Sequence, residues 1–471
     1  MTPVNKYRLV LLLLVVSLHA FGQTDTLTTL NLTQFLQLVK QNHPLAKQAG
    51  LITQSADANT LKARGGFDPK LFYDFQNKFY DSKNYYTLAN GGFNIPAWFG
   101  IEVKGGYEQN QGTYLNPENT VPDQGLVYTQ ISFPLLQGLL IDERRATLKK
   151  AKLFRELSEF DKINAINELL YNAGKTYWDW YLSYTNVQVH QEAVALSRER
   201  FEAITKSFTL GDRPAIDTVE ANIQLQDRII NVQQALMDYR TKSLLLSNYL
   251  WLENDIPIEL TDQTIPEVTV ENDSSDMFLK YHVARMDSLI NVHPDLKIYD
   301  YKLQQLSIEE RYIKDKLKPS LNVLYSPLYN SENFNAGFLN NYKWGVSVAF
   351  PILLRKERGE LQLTRIKIEN TSYENKNKRI ELLNKSKSTI NEFNNYTGQI
   401  DIYSKNVTNY ERLWQSEQRL FDSGEGSLFM INSREMSYIN ARIKLNEIIN
   451  KTKKSALEVE YAFGLLHTMY Q

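Results

Sequence analysis

Apolar residues recur along this chain with two distinct rhythms, and the longer one dominates. From Ile163 a spacing of three and four residues picks out Ile166, Leu170, Ala173, Tyr177, Trp180, Tyr184, Val187, Gln191, Val194, Arg198, Phe201, Thr205 and Phe208, nearly all apolar. The same count from Phe393 gives Tyr396, Ile400, Tyr403, Val407, Tyr410, Trp414, Glu417 and Phe421. A seam that returns every seven residues is the pattern of helices packed side by side as a coiled coil. Read from Asp142 to Phe208, the first helix is on the order of 100 Å long at 1.5 Å rise per residue. A compact domain does not contain such a helix.

Each long helix runs into a glycine. "FTLGDRPAIDT" begins at Phe208, and "FDSGEGSLFMI" repeats the arrangement 213 positions later at Phe421. Gly211 and Gly424 fall where a left-handed residue ends a helix cheaply. Pro214 and Ser427 then suit the start of the next helix, whose seam continues through Ile216, Val219, Ile223 and Ile230 in the first copy. The chain is expected to turn back on itself at both places.

The second rhythm is strict alternation. "GIEVKGGYEQ" alternates Ile101, Val103 and Tyr107 with Glu102, Lys104 and Glu108, and "KWGVSVAF" alternates Trp344, Val346, Val348 and Phe350 with Gly345, Ser347 and Ala349. Further strands are predicted at Leu71 to Tyr80, Leu126 to Phe133 and Leu321 to Ser326. No helix is free to cover the apolar face, and in an exported chain this alternation fits a wall with lipid on one side and a polar lumen on the other. Roughly one hairpin per half gives about four strands, fewer than the eight that close the smallest barrel. Open edges do not persist in lipid, so such a wall must be shared between chains. Trp98 and Trp344 suit either interfacial anchoring or packing within the strands.

The halves share more than the turns. "NHPLAKQ" at Asn42 and "VHPDLKI" at Val292 share His-Pro at an offset of 250, which also aligns "FDPKLF" at Phe67 with "LKPSLN" at Leu317. "ISFPLL" at Ile131 aligns with "VAFPIL" at Val348 at an offset of 217. One unit has been duplicated, with 33 extra residues in the first copy between its first and last strands, room for an extracellular loop or an added strand.

Composition narrows the function. The 53 basic and 54 acidic residues nearly cancel, which excludes a basic patch on the scale that nucleic-acid binding requires. Lys6 and Arg8 precede the apolar run Leu9 to Val16 and then Ala20-Phe21-Gly22, the layout of a secretory signal peptide over residues 1–22. The chain contains no Cys, which removes disulfides, thiolate metal sites, cysteine nucleophiles and a lipid-anchoring cysteine. Residues 23–270 and 271–471 then form the two repeats.

This arrangement resembles the TolC family of outer-membrane efflux proteins. The resemblance rests on the "NHP"-type opening of each copy, the strand ending "SFP" or "AFP" before the long helix, and the Phe-x-x-Gly turns at Phe208/Gly211 and Phe421/Gly424, in the same order twice. It implies a mainly α protein with a small β part: duplicated helical hairpins forming a periplasmic α-barrel, and about four strands per chain in a twelve-stranded transmembrane barrel shared by a homotrimer. It also implies a passive conduit in a tripartite efflux pump or type I secretion system, reaching from the outer membrane into the periplasm. Its partners would be outer-membrane lipid, a periplasmic adaptor and an inner-membrane transporter. By the same resemblance Phe208, Gly211, Asp212, Pro214, Asp217, Phe421, Asp422, Gly424, Glu425 and Ser427 form the periplasmic tip, where the adaptor docks and the entrance closes. Asp212, Asp217, Asp422 and Glu425 read either as an acidic gating ring or as solvated turn residues, and Met430 takes the place of a second Asp217.

Two other readings compete: a periplasmic adaptor, which would carry one helical hairpin between substantial β domains, and an exported structural coiled coil. Enzymatic chemistry has little to stand on. No Walker loop, nucleophile elbow or His-Glu-x-x-His motif occurs. His43 and His293 precede Pro at equivalent positions and read as helix-entry residues; His190 has no second ligand type at helical spacing, and His282 and His467 are isolated. No cofactor or metal is expected. "YWDWYLSYT", Tyr177 to Thr185, falls on the helical seams and reads as packing rather than a stacking site.

Overall fold

The computed structural model describes residues 28–261, 263–267, 281, 283–330 and 340–470. The predicted signal peptide and His282 lie outside them. Strand β1 (Thr28–Leu30) leads into helices α1 (Leu32–Asn42) and α2 (Pro44–Arg64), and then into strands β2 (Lys70–Tyr80), β3 (Lys83–Pro96), β4 (Glu102–Gln111) and β5 (Leu126–Pro134). The first long helix, α3 (Glu143–Thr209), has 67 residues, and α4 (Ala215–Ser247) follows it. Three short strands, β6 (Trp251–Leu252), β7 (Ile256–Pro257) and β8 (Thr264–Pro266), precede helices α5 (Met286–Asn291) and α6 (Pro294–Lys316). The second half continues with β9 (Ser320–Asn330), β10 (Tyr342–Ala349), the 68-residue α7 (Arg355–Asp422), α8 (Leu428–Ala462) and α9 (Leu466–Met469). The expected boundaries of α3 hold to within one residue.

The chain divides into two units, each drawing on both halves of the sequence. One comprises the described parts of Met1–Gln48, Asn164–Ile290 and Leu382–Gln471. Its core gathers Phe35, Leu36 and Val39 of α1, Leu170, Ala173, Tyr177 and Trp180 of α3, Leu246 of α4 and Leu457 of α8. Both polar handles of the large aromatics are satisfied, as burial demands: the Tyr177 hydroxyl donates to the Leu30 carbonyl at 2.8 Å, and Trp180 Nε1 donates to Ser243 Oγ at 3.1 Å. The packing role read for "YWDWYLSYT" is therefore observed at its two most buried residues. His43 Nδ1 accepts from the Leu45 amide at 3.1 Å, closing the entry to α2.

The seam along α3 departs from the expected count beyond Val187. Gln191 and Arg198 are exposed, whereas Ala193, Ser197 and Ile204 are buried. The reason is side-chain size: Val189 and Ala193 pack against Ile439 of α8, and small residues that let helices approach are invisible to a count of large apolar ones. On α7 the expected positions stand, with Phe393 and Phe421 buried and only Tyr410 exposed.

The other unit, Ala49–Ile163 and Asn291–Glu381, holds the sheet. Six strands run in the order β10-β9-β5-β4-β3-β2, every neighbouring pair antiparallel. The expectation of about four strands is corrected. The 33 extra residues of the first copy are not a loop but two full strands, β3 and β4, which have no counterpart among the described residues of the second copy. Strand β3 escaped the alternation count because Asn90, Gly91, Gly92 and Asn94 dilute its pattern. Helix α6 opens as α2 does, with His293 Nδ1 accepting from the Asp295 amide at 3.1 Å, so the two His-Pro positions share one structural task.

Register sorts the sheet into two faces, because side chains alternate along a strand. One carries Leu71, Tyr73, Phe75 and Phe79 of β2, Phe93 and Ile95 of β3, Val103 and Tyr107 of β4, Ile131 and Phe133 of β5, Val323 and Tyr325 of β9, and Trp344, Val346 and Val348 of β10. The other carries Lys70, Asp74 and Lys78, Asn90, Lys104 and Glu108, Gln130 and Ser132, Asn322, and Lys343 and Ser347. The polar face is tied across strands. Tyr128 donates to Asn90 Oδ1 at 2.9 Å, Asn90 Nδ2 donates to Glu108 at 3.2 Å, and Lys104 Nζ lies 4.1 Å from the Phe72 ring centre.

Candidate functional site

The two helical turns share a Phe-x-x-Gly motif and the same pair of closing backbone hydrogen bonds. Gly211 (φ +85°) and Gly424 (φ +81°) both adopt the left-handed conformation. At the first turn the Gly211 amide donates to the Phe208 carbonyl at 3.0 Å and the Asp212 amide to Ser207 at 2.9 Å. At the second the Gly424 amide donates to Phe421 at 3.1 Å and the Glu425 amide to Leu420 at 2.9 Å. These bonds satisfy carbonyls that a helix end otherwise leaves open. The restart differs: Ser427 Oγ accepts from the Met430 amide at 3.2 Å, while Pro214 begins α4 with no side-chain cap.

Equivalent phenylalanines take different roles. Phe421 is 8% exposed and packs with Ile204, Ala221, Leu428 and Ile431, whereas Phe208 is 42% exposed. Arg213 of the first turn reaches the second: its guanidinium lies 4.1 Å from the Phe421 ring centre and its Nη1 is 3.3 Å from Asp217. A cation over an aromatic face joins the turns. The four carboxylates differ in their surroundings. Asp217 pairs with Arg213, Asp422 accepts from Gln418 at 2.9 Å, and Asp212 and Glu425 are exposed. Among the described residues no three acidic or histidine side chains converge on a metal position.

Further along the same helices lies a cluster that the sequence reading passed over. Glu435 of α8, 1% exposed, pairs with Arg200 of α3 through Oε2, and its Oε1 lies 3.6 Å from Nη2 of the equally buried Arg228 of α4. Arg200 also donates to Asn432 at 3.0 Å, and Asn432 donates to Glu220 at 3.3 Å. Burial pulls the Arg228 guanidinium below its usual range and Glu435 opposes that shift; the nearby His190 is lowered by burial and by Arg228. One carboxylate thus holds three helices together. The available signal was spacing, since Arg200 precedes Gly211 by as many residues as Glu435 follows Gly424.

Helix α4 also carries an exposed apolar stripe of Ile216, Ile223, Ile230, Met237 and Leu244, one every seven residues. The seam expected through Ile216, Ile223 and Ile230 is present, but nothing among the described residues covers it. No helix among the described residues is long and apolar enough to cross a membrane.

No protein-family model matches the chain, and no curated protein matches its sequence. Solved structures do match its fold. The CmeC outer membrane channel of Campylobacter jejuni aligns at 15% identity over 92% of this chain and 85% of its own, with a TM-score of 0.63. The MtrE outer membrane channel of Neisseria gonorrhoeae, in its open state, aligns at 13% identity over 93% and 90%, with a TM-score of 0.64. The outer membrane protein VceC of Vibrio cholerae aligns at 11% identity over 92% and 96%, with a TM-score of 0.63. Long helices, paired glycine turns and a two-faced sheet are thus arranged in this chain with the fold of outer-membrane channels, the fold that its resemblance to the TolC family implies.

Proposed function

We propose that this protein is a TolC-type outer-membrane channel, a passive conduit from the periplasm to the exterior that serves a tripartite efflux pump or a type I secretion system. The observation that carries the reading is the sheet: one face is predominantly apolar and is exposed along β2 and β10 and partly exposed along β9, the other is predominantly polar and cross-linked by hydrogen bonds. Leu71, 75% exposed, and Trp344, 66% exposed, have no reason to face water in such numbers of neighbours. Strands β2, β4, β5 and β9, of 11, 10, 9 and 11 residues, match the roughly 9–11 residues that span a bilayer as tilted strands.

On this reading residues 1–22 are removed on export, and 23–270 and 271–471 are the two repeats. Several copies, three by resemblance, share the barrel. Phe208, Gly211, Asp212, Pro214 and Asp217, with Phe421, Asp422, Gly424, Glu425 and Ser427, form the tip that meets a periplasmic adaptor coupled to an inner-membrane transporter. Arg213 over Phe421 supports a tip whose two turns move relative to each other only by breaking a specific contact.

The test is the mass of the detergent-extracted protein from the outer-membrane fraction, set against the 54.7 kDa of the unprocessed chain. A membrane-bound species near three chains is expected. A soluble monomer would overturn the reading in favour of an exported coiled coil.

A further inference from the structure

The sheet has two open edges, and their directions are complementary. Strand β2 leaves α2 and β10 returns into α7. All neighbouring strands are antiparallel and their number is even, so the outermost two run in opposite directions. A second copy set beside the first therefore places its β10 antiparallel to β2, and the ladder continues without reversal. One chain is unable to close by itself, because six strands fall below the eight of the smallest barrels. Left open in hydrocarbon, each edge would expose a row of unpaired amides and carbonyls.

We propose that all six strands are staves of the shared wall, so that the ring closes β2 of one copy against β10 of the next. This rests on the membrane reading above. It gives six strands per copy, and a three-copy ring of eighteen in place of twelve, within the known range of even-numbered barrels and roughly half again as wide. A hairpin lying outside the wall would be paired along one side only. Strand β3 is instead paired on both sides, with β2 from Lys70↔Asn94 to Tyr80↔Lys83 and with β4 from Thr87↔Gln111 to Pro96↔Glu102. Its side chains also keep the two faces continuous: Phe93 and Ile95 stand with Leu71 and Val103, and Asn90 stands with Glu108 and Tyr128. Where β4 meets β5 the polar face is closely packed, since a Cβ on Gly106 would lie 2.7 Å from the Tyr128 ring.

A chain without cysteine gives a clean background for cross-linking. Val346→Cys on β10 is combined with Leu71→Cys, Tyr73→Cys, Phe75→Cys or Phe79→Cys on β2, and in a parallel series with Val103→Cys or Tyr107→Cys on β4. Oxidation of outer-membrane preparations is expected to give a ladder of linked chains from at least one β2 pair and none from the β4 pairs. Links from β4 and none from β2 would overturn the proposal, showing a four-stranded contribution with β2 and β3 outside the wall, and would leave the channel reading standing. A membrane-bound oligomer with no β2 link would overturn it as well. Protein that is soluble and unlinked would remove the membrane reading and this inference together.

Discussion

Glu435 sits between two arginines with almost no access to water, and that position sets what its replacement would do. An ion pair withdrawn from water is weak evidence of net stability, but removing one partner strands the other charge. Glu435→Gln leaves Arg200 and Arg228 buried side by side and is expected to cost about 3–5 kcal/mol, read as a lowered denaturation midpoint in detergent. Adding Arg228→Met should recover part of that loss, and no recovery would mean that the arginines do not confront each other. Glu460 of α8 poses the opposite case. Its Oε2 has no hydrogen-bond partner among the described residues, and burial pushes the carboxyl up to about 8 from 4.5. The folded state therefore disfavours the charged form. Its full stability is present below the unfolded value near 4.5 and declines as pH rises from there through about 8. Glu460→Gln should raise the unfolding free energy at pH 9 by on the order of 5 kcal/mol and leave it unchanged near pH 4. A gain of equal size at both pH values would show that the charge is not the cause.

At the scale of elements, the two glycine turns show how a short signal fixes a shape. Nothing lies within 4 Å of a Cβ built on Gly211 or Gly424, so Ala at either place meets no steric obstacle and suffers only the left-handed backbone, about 1–2 kcal/mol. Each single variant is expected to lose that much, measured by chemical denaturation, and a loss confined to Gly424 would mean that the first turn relaxes. These turns, the long helices and the duplicated plan were legible because they are written in large apolar residues and in glycine. Strand β3 was not, since Asn and Gly hold positions whose contribution is backbone pairing rather than burial. Nor was the Arg200, Glu435 and Arg228 cluster, because a charged residue on a long helix is ordinarily solvated and its burial depends on two other helices arriving. The different fates of Phe208 and Phe421 were equally hidden: identical motifs give identical turns, but which face meets a neighbour is decided by the rest of the unit.

For the whole molecule, the exposed stripe on α4 is the counterpart of the open sheet edges. Ile216 and Met237 are 67% and 63% exposed, and with Ile223, Ile230 and Leu244 they repeat at the seven-residue interval that a facing helix fills. Helices α3 and α8 have their neighbours within the chain; α4 offers a second seam with none among the described residues. If copies assemble through the sheet edges, the same assembly should bury this stripe, giving a second contact far along the chain from the first. Ile223→Glu and Ile230→Glu test that independence. A charge placed in a seam that another helix must cover is expected to weaken the detergent-extracted oligomer to smaller species, while the sheet keeps the protein in the outer-membrane fraction. Because the substituted side chains are already in water in the isolated chain, folding of the subunit should change by less than about 0.5 kcal/mol, so a lowered mass with an unchanged denaturation midpoint is the expected pair of results. An oligomer of full mass that fails only in export would mean that the stripe is covered by the adaptor instead of a second copy.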